Sequence, residues 1–326
     1  MKIAFGIIVF NGNNTLELSL KTIYPYASQI LIAEGPVGFW QKQGYTRSID
    51  GTAEMIDNFP DPDNKIKVVH GQYTEKLQQT NAYIPYMNED TDYLWNLDSD
   101  QVFKPQDIEM LIQMLENPRG KPFTHVKFKS VTFYGGFDRY MTGFEEKAKF
   151  PGLFRVYPGS RWNMHRYPKM SHKDPLPNRI LDSEGLAGKG MRMYHYSYVF
   201  ADHVYQKARY YTEFLGPSMA KKIKKKRRVD TIKPGSVFVT DWFRRVWIPW
   251  VRGNETQRKA IEDKFGGVHE LTKAKSYTAK FTGEHPKIIQ ANMDKLTKRF
   301  NDQLRKYSPS KGKRRGRIGR KPGKGR

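Results

Sequence analysis

The sequence predicts an α/β protein with a doubly wound, mixed sheet, followed by a basic helical extension and a disordered tail. Three observations predict it. Apolar runs of strand length alternate with helical patterns over the first hundred residues, as in a parallel sheet wound on both faces. After Asn117 the pattern turns to apolar–polar alternation, which marks half-exposed antiparallel strands. The net charge of +24 on 326 residues gathers mostly in two short runs beyond residue 220, leaving the rest of the chain only modestly basic.

The elements follow in order. Lys2 to Phe10 (KIAFGIIVF) reads as a buried first strand. Leu16, Leu18, Leu20 and Ile23 then give a helix over Thr15–Tyr24, with Asn14 or Thr15 as its N-cap. Gln29–Ala33 is a second strand, Thr52–Phe59 a short helix, and Ile66–Val69 a third strand. Thr74–Met87 reads as a helix. Tyr93–Leu97 (YLWNL) is a fourth strand, and Pro105 opens the next helix from its first turn. Thr124–Phe133 alternates as one half-exposed strand. Gly152–Tyr157 and Met191–Val199 are further strands, and Asp202–Leu215 is a tyrosine-rich helix. The aromatic stretch Asp241–Val251 and two helices, Thr256–Phe265 and Pro286–Lys306, complete the ordered part.

Composition narrows the chemistry. The chain has no cysteine, so disulfides and thiolate metal sites are excluded, and any metal is held by oxygen or imidazole. No apolar run is long enough to span a bilayer. The apolar start stops at Asn11-Gly12-Asn13-Asn14 without a small-residue cleavage site, so it reads as a strand rather than a leader, and the expected location is cytoplasmic. Lys221–Arg228 carries seven positive charges and Lys311–Arg326 nine, with no acid in either. Runs that repel themselves this strongly suit a polyanionic partner, nucleic acid or an anionic lipid surface; solubility is the plainer explanation.

In a doubly wound sheet ligands bind beyond the carboxyl ends of the strands. Asn11, Glu34, His70 and Asp98 lie at or just past those ends and are expected to converge on one crevice. Asp98-Ser99-Asp100 follows the fourth strand at once, so a turn can present both carboxylates to one hard cation. Mg²⁺ and Mn²⁺ accept such carboxylates and complete their shell with phosphate oxygens and water. Alone, the triplet could equally be a turn of solvated acids.

The chain resembles the family 2 glycosyltransferases with the GT-A fold. The resemblance lies in IVFNGNNTLELSLKTI, in ILIAEGPVG with Arg47-Ser48-Ile49-Asp50-Gly51-Thr52, in WNLDSDQVF, and in Tyr194-His195-Tyr196-Ser197-Tyr198 followed by Lys207 and Arg209. It covers about residues 1–215 and implies transfer, with inversion, of a hexosyl or pentosyl group from a nucleotide-diphospho-sugar. On that resemblance Phe10, Asn11, Glu34, Arg47 and Asp50 surround the nucleotide, Lys76, Gln78 and Asn81 approach it, and Asp98 and Ser99 meet the donor. Asp98, Asp100 and His195 would hold Mn²⁺ or Mg²⁺; the competing reading of His195 is a hydrogen-bonded core histidine. Related enzymes often follow a histidine at the position of His165 with glutamate, but Arg166 stands here, which puts the base in doubt. Asp174 and Glu184 are the nearest substitutes.

The resulting division is a catalytic domain over 1–215, an aromatic-rich basic helical extension over 216–306, and a Lys/Arg/Gly tail over 307–326. Trp242, Trp247 and Trp250 are either core or a stacking surface, with Arg244, Arg245 and Arg252 beside them. The basic runs favour a nucleic-acid acceptor, such as DNA carrying a hydroxylated base. A surface glycan or lipopolysaccharide precursor, with the basic segments touching a membrane peripherally, is the second reading. A non-catalytic nucleic-acid-binding protein on a transferase scaffold is the third.

Overall fold

The computed structural model describes residues 1–165, 169–171, 178–227, 235 and 237–307. Four parallel strands stand where the apolar runs put them: β1 (Ile3–Val9), β2 (Gln29–Glu34), β3 (Ile66–His70) and β4 (Tyr93–Asp98). β1 is buried along its whole length and pairs with β2 on one side and β4 on the other. This doubly covered position explains its unbroken apolar run.

The remaining strands are β5 (Gln101–Val102), β6 (His125–Phe128), β7 (Ser130–Tyr134), β8 (Arg139–Met141), β9 (Phe150–Arg155), β10 (Arg161–Met164), β11 (Lys169–Ser171), β12 (Ile180–Leu181), β13 (Met193–Tyr198) and β14 (Thr278–Lys280). The main sheet has the order β12-β6-β9-β4-β1-β2-β3, with β9 antiparallel to both β4 and β6. A second sheet has the order β14-β8-β7-β13-β5, and β10 and β11 form a separate hairpin.

Three readings of the sequence change. The stretch 124–133 is two strands: at Lys129 the chain leaves the main sheet and enters the second. Alternation continues through the switch, because Phe128 packs on Trp95 in one core while Phe133 stacks on Tyr196 in another. The helix after β3 runs only over Lys76–Ala82, and Pro85 sits in a separate 3₁₀ turn over Ile84–Tyr86, since proline lacks the donor a longer helix needs. Thr15 does not cap the helix Leu16–Ile23; its hydroxyl donates to Ser99 O at 3.3 Å.

The three tryptophans resolve as core. Trp242, Trp247 and Trp250 are all buried, and each indole N–H is satisfied, by Val268 O, Tyr198 O and Glu262 Oε1 respectively at 2.9–3.0 Å. They cannot stack a nucleic-acid strand. The described residues from 237 to 307 are built into the body of the fold. β14 pairs with β8, and the helix Met293–Lys306 packs on the helix Ala201–Ala208. Arg299 Nη1 also donates to the carbonyls of Asn13 and Asn14. The second basic run, Lys311–Arg326, lies outside the described residues.

Candidate active site

The site is built where the two sheets meet. β4 ends at Asp98, Ser99 and Asp100 form a turn, and β5 then pairs antiparallel with β13 so that His195 faces Gln101. The amide of Tyr196 donates to Asp100 O at 2.9 Å, which locks that register. The consequence is that the β13 histidine meets the carboxylates of the β4 turn. His195 Nε2 lies 3.3 Å from Asp100 Oδ1. Asp98, Asp100 and His195 each offer one donor atom within 4.8 Å of the others.

The surroundings orient these groups. Gln101 Nε2 donates to Asp98 Oδ2 at 3.3 Å. On its far side His195 Nδ1 is 3.5 Å from Thr132 Oγ1, and Thr132 donates to buried Glu145 at 3.0 Å. A hydroxyl that gives its proton to Glu145 has a lone pair left for an Nδ1–H, while Nε2 faces Asp100 and donates to it when the ring is protonated. The loop after β1 packs closely on the turn: a Cβ on Gly12 would lie 2.9 Å from Ser99 Oγ.

The helix Ala201–Ala208 supplies a second histidine. His203 Nε2 is 3.3 Å from Asp100 Oδ2. Burial opposes a charge on Asp100, but His195, His203 and Lys207 outweigh it and hold the carboxyl far below its ordinary value. Burial also works against a proton on His195, and Asp100 overcomes it, moving that imidazole up. His203 moves down, through burial and the cations Lys207 and Lys76.

These residues floor a cleft that is open to solvent. Lys76 projects into it, its Nζ 5.2 Å and 5.4 Å from the ring centroids of Tyr210 and Tyr211. Burial alone would lower its pKa; Tyr211, Tyr210 and Asp98 raise it, so the amine stays charged. Lys207 donates to Ser197 Oγ at 2.7 Å and lies 3.9 Å over the Tyr198 ring. One end of the cleft is aromatic, where Phe10 and Trp40 approach to 6.1 Å and Tyr45 packs against both.

The expected residues divide in two. Phe10, Lys76, Asp98, Ser99, Asp100 and His195 line the cleft. Asn11, Glu34, Arg47, Asp50, Gln78 and Asn81 are not among its lining; they tie loops together. Glu34 is fully buried, with one oxygen on Ser48 N at 2.7 Å and the other on His70 Nδ1 at 2.9 Å. Asn11 adopts a left-handed backbone and accepts from Ile49 N at 2.7 Å. Asp50 accepts from Asn13 N and Thr52 N, both at 3.1 Å. Arg47 pairs on the surface with Glu54, Gln78 accepts from Thr74 N, and Asn81 bonds the backbone of Trp162.

Of the two expected bases, Glu184 lies on the surface beside Lys129 and Lys149, and Asp174 lies outside the described residues. The sequence reading does not single out His203, Gln206, Lys207, Tyr210 and Tyr211 as a group. Their spacing of three, four, seven and eight residues from His203 puts them on one helix face directly after β13, and that periodicity is the available signal.

Oxygen and imidazole donors suit a hard cation. Asp100 Oδ1, which faces His195 Nε2 at 3.3 Å, is buried and has no well-aligned hydrogen bond among the described residues, which fits an atom able to meet a metal. Asp98, Asp100 and His195 are therefore a consistent ligand set.

Comparison with known proteins adds a family resemblance. Residues 46–177 match the family described as Glycosyl transferase family 2. No curated protein matches the chain. Among solved structures, TarS of S. aureus is similar at 11% identity, over 48% of this chain and 28% of that one, with a TM-score of 0.32. Its fragment 1–349 in complex with UDP-GlcNAc is similar at 12% identity over 48% and 45%, with a TM-score of 0.32. The chain thus spans less than half the length of these structures. The family match makes the segment 46–177 similar to family 2 glycosyltransferases, and this segment includes β4 with the carboxylate turn that follows it.

Proposed function

We propose that the protein is a metal-dependent, inverting glycosyltransferase that takes its sugar from a nucleotide-diphospho-sugar and gives it to a hydroxyl. One observation carries this reading. Two carboxylates and an imidazole converge at the floor of a cleft whose walls hold the cations Lys76 and Lys207. Acids that attract a divalent ion, beside ammonium groups that attract phosphate, form the charge pattern a metal diphosphate requires.

Asp98, Asp100 and His195 would hold Mn²⁺ or Mg²⁺, which when bound stabilises negative charge on a diphosphate leaving group. Lys76 and Lys207 add fixed positive charge in a site partly closed to water, where it acts more strongly than in bulk. The Phe10–Trp40 end offers flat apolar faces to a nucleotide base. Thr132 and Glu145 keep the His195 ring in one orientation.

The acceptor in this reading is polyanionic, and nucleic acid with a hydroxylated base fits it best. The helix Gly216–Arg227 follows directly on the segment that brings Tyr210 and Tyr211 into the cleft. Lys221, Lys222, Lys225 and Lys226 on it are exposed. A phosphate backbone held there would lie along the same rod that walls the cleft. No helix among the described residues is long and apolar enough to cross a membrane. Cytoplasmic residence belongs to the same proposal.

The test is donor turnover. A panel of uridine, guanosine and thymidine diphospho-sugars, incubated with the full chain and Mn²⁺ or Mg²⁺, should give slow hydrolysis of at least one donor. EDTA should stop it, and Asp100→Asn should reduce it by about 10²-fold or more, the scale of losing a principal electrostatic contributor. Full turnover in EDTA would reject the mechanism.

A further inference from the structure

A second cavity adjoins the first and shares Asp98, His195, Lys207 and Tyr211 with it. A ligand there would meet a donor sugar at the carboxylate turn. Its wall contains two buried carboxylates from outside the first sheet, Glu145 and Glu270, with His269 between them.

The two acids are not equivalent. Glu145 is engaged at both oxygens: Oε1 accepts from Thr132 at 3.0 Å, and Oε2 faces His269 Nε2 at 3.8 Å. Leu271 N–H donates to His269 Nδ1 at 3.0 Å, which puts the ring proton on Nε2, toward Glu145. Glu270 holds a neighbouring side chain at one oxygen only. Tyr198 donates to its Oε2 at 2.7 Å. Its Oε1 accepts no hydrogen bond from another side chain among the described residues, although the Glu270 side chain is only 4% exposed. A buried carboxylate with one oxygen that no other side chain among the described residues holds, at the wall of a cavity, is placed to accept a proton from a ligand. Tyr198 aims it, and β13, which carries Tyr198, also carries His195 three residues earlier.

We propose that the second cavity receives the acceptor and that Glu270 is the base that takes the acceptor's hydroxyl proton. This rests on the transferase reading above. The acceptor oxygen forms its bond to the anomeric carbon as the bond from that carbon to the diphosphate oxygen breaks. The bonding pair leaves with the nucleoside diphosphate, and the hydroxyl proton passes to Glu270 Oε1. Glu270 lies well beyond the segment that matches the family, and it replaces both Asp174 and Glu184 as the candidate.

Water is the simplest acceptor, so the experiment needs no identified glycan or nucleic acid. Donor hydrolysis is measured for the full-length protein with Mn²⁺, for Glu270→Gln and for Glu270→Ala, each with and without sodium azide. Azide attacks without giving up a proton and needs no base. Both variants should lose hydrolysis by about 10²–10⁴-fold, the usual contribution of a positioned base. Azide should restore donor consumption in Glu270→Ala, yielding the sugar azide of inverted configuration.

Glu270→Gln keeps an acceptor for the Tyr198 hydroxyl, and its melting curve and donor-binding affinity report whether the fold survives. Undiminished hydrolysis in Glu270→Gln would overturn the assignment. So would a folded, donor-binding Glu270→Ala that azide does not revive. If the unaltered protein consumes no donor in the panel, the transferase reading fails first and takes this one with it.

Discussion

At the scale of single residues, the site depends on two neighbours that sequence inspection does not connect. Thr132 and Glu145 are thirteen residues apart and lie more than thirty residues from both Asp100 and His195, yet they complete a chain from buried carboxylate to hydroxyl to imidazole. Thr132→Val keeps the shape and removes the hydroxyl. Mn²⁺ affinity should then fall by about 10- to 100-fold, as is typical when the partner of a metal-bound histidine is removed. A melt run beside the titration separates this from general damage, because an unpaired Glu145 oxygen will also cost about 1–3 kcal/mol of stability. Unchanged affinity would reduce Thr132 to a packing residue. Asp98 and Asp100 stand out in the sequence because they directly follow a strand of a doubly wound sheet, at the end where such sheets bind ligands. Glu34 and Asp50 are not, since a loop acid that binds nucleotide and one that ties backbone amides look the same in sequence.

At the scale of elements, the first hundred residues are readable because β1, β2 and β4 are largely buried on both faces while the helix Leu16–Ile23 buries one face. Period and length then identify the element. Past residue 117 the information thins. The change of sheet at Lys129 leaves the apolar–polar alternation intact, so nothing local announces it. The rod from Ala201 to Arg227 reads in the sequence as a helix to Leu215. Its middle turns, Arg209–Leu215, are π-helical. The wider turn carries Tyr210 and Tyr211, whose rings flank Lys76. β13 is recognisable, but its antiparallel pairing with the two-residue β5 is not, and that pairing brings His195 to Asp100. So short a strand has no detectable period of its own.

At the scale of the whole molecule, exposed lysines and part of the cleft wall share one rod. If a nucleic acid is the acceptor, replacing Lys221, Lys222, Lys225 and Lys226 by glutamine should weaken duplex binding. The dependence of log affinity on log salt should flatten by up to about 0.9 for each phosphate that is no longer neutralised. Donor hydrolysis should not change, because none of the four lines the cleft. Equal duplex affinity and salt slope in the variant, with weaker binding to anionic vesicles instead, would favour a membrane-borne acceptor.

The central claim is that Asp98, Asp100 and His195 bind a divalent ion for a nucleoside diphosphate. Its most direct test is Mn²⁺ binding followed by electron paramagnetic resonance of the full chain, with and without nucleoside diphosphate. The expected result is one saturable Mn²⁺ per chain, bound more tightly when the diphosphate is present. That site should be lost in Asp98→Asn and Asp100→Asn and weakened in His195→Ala. Absence of saturable binding, or binding that all three substitutions leave intact, would contradict it.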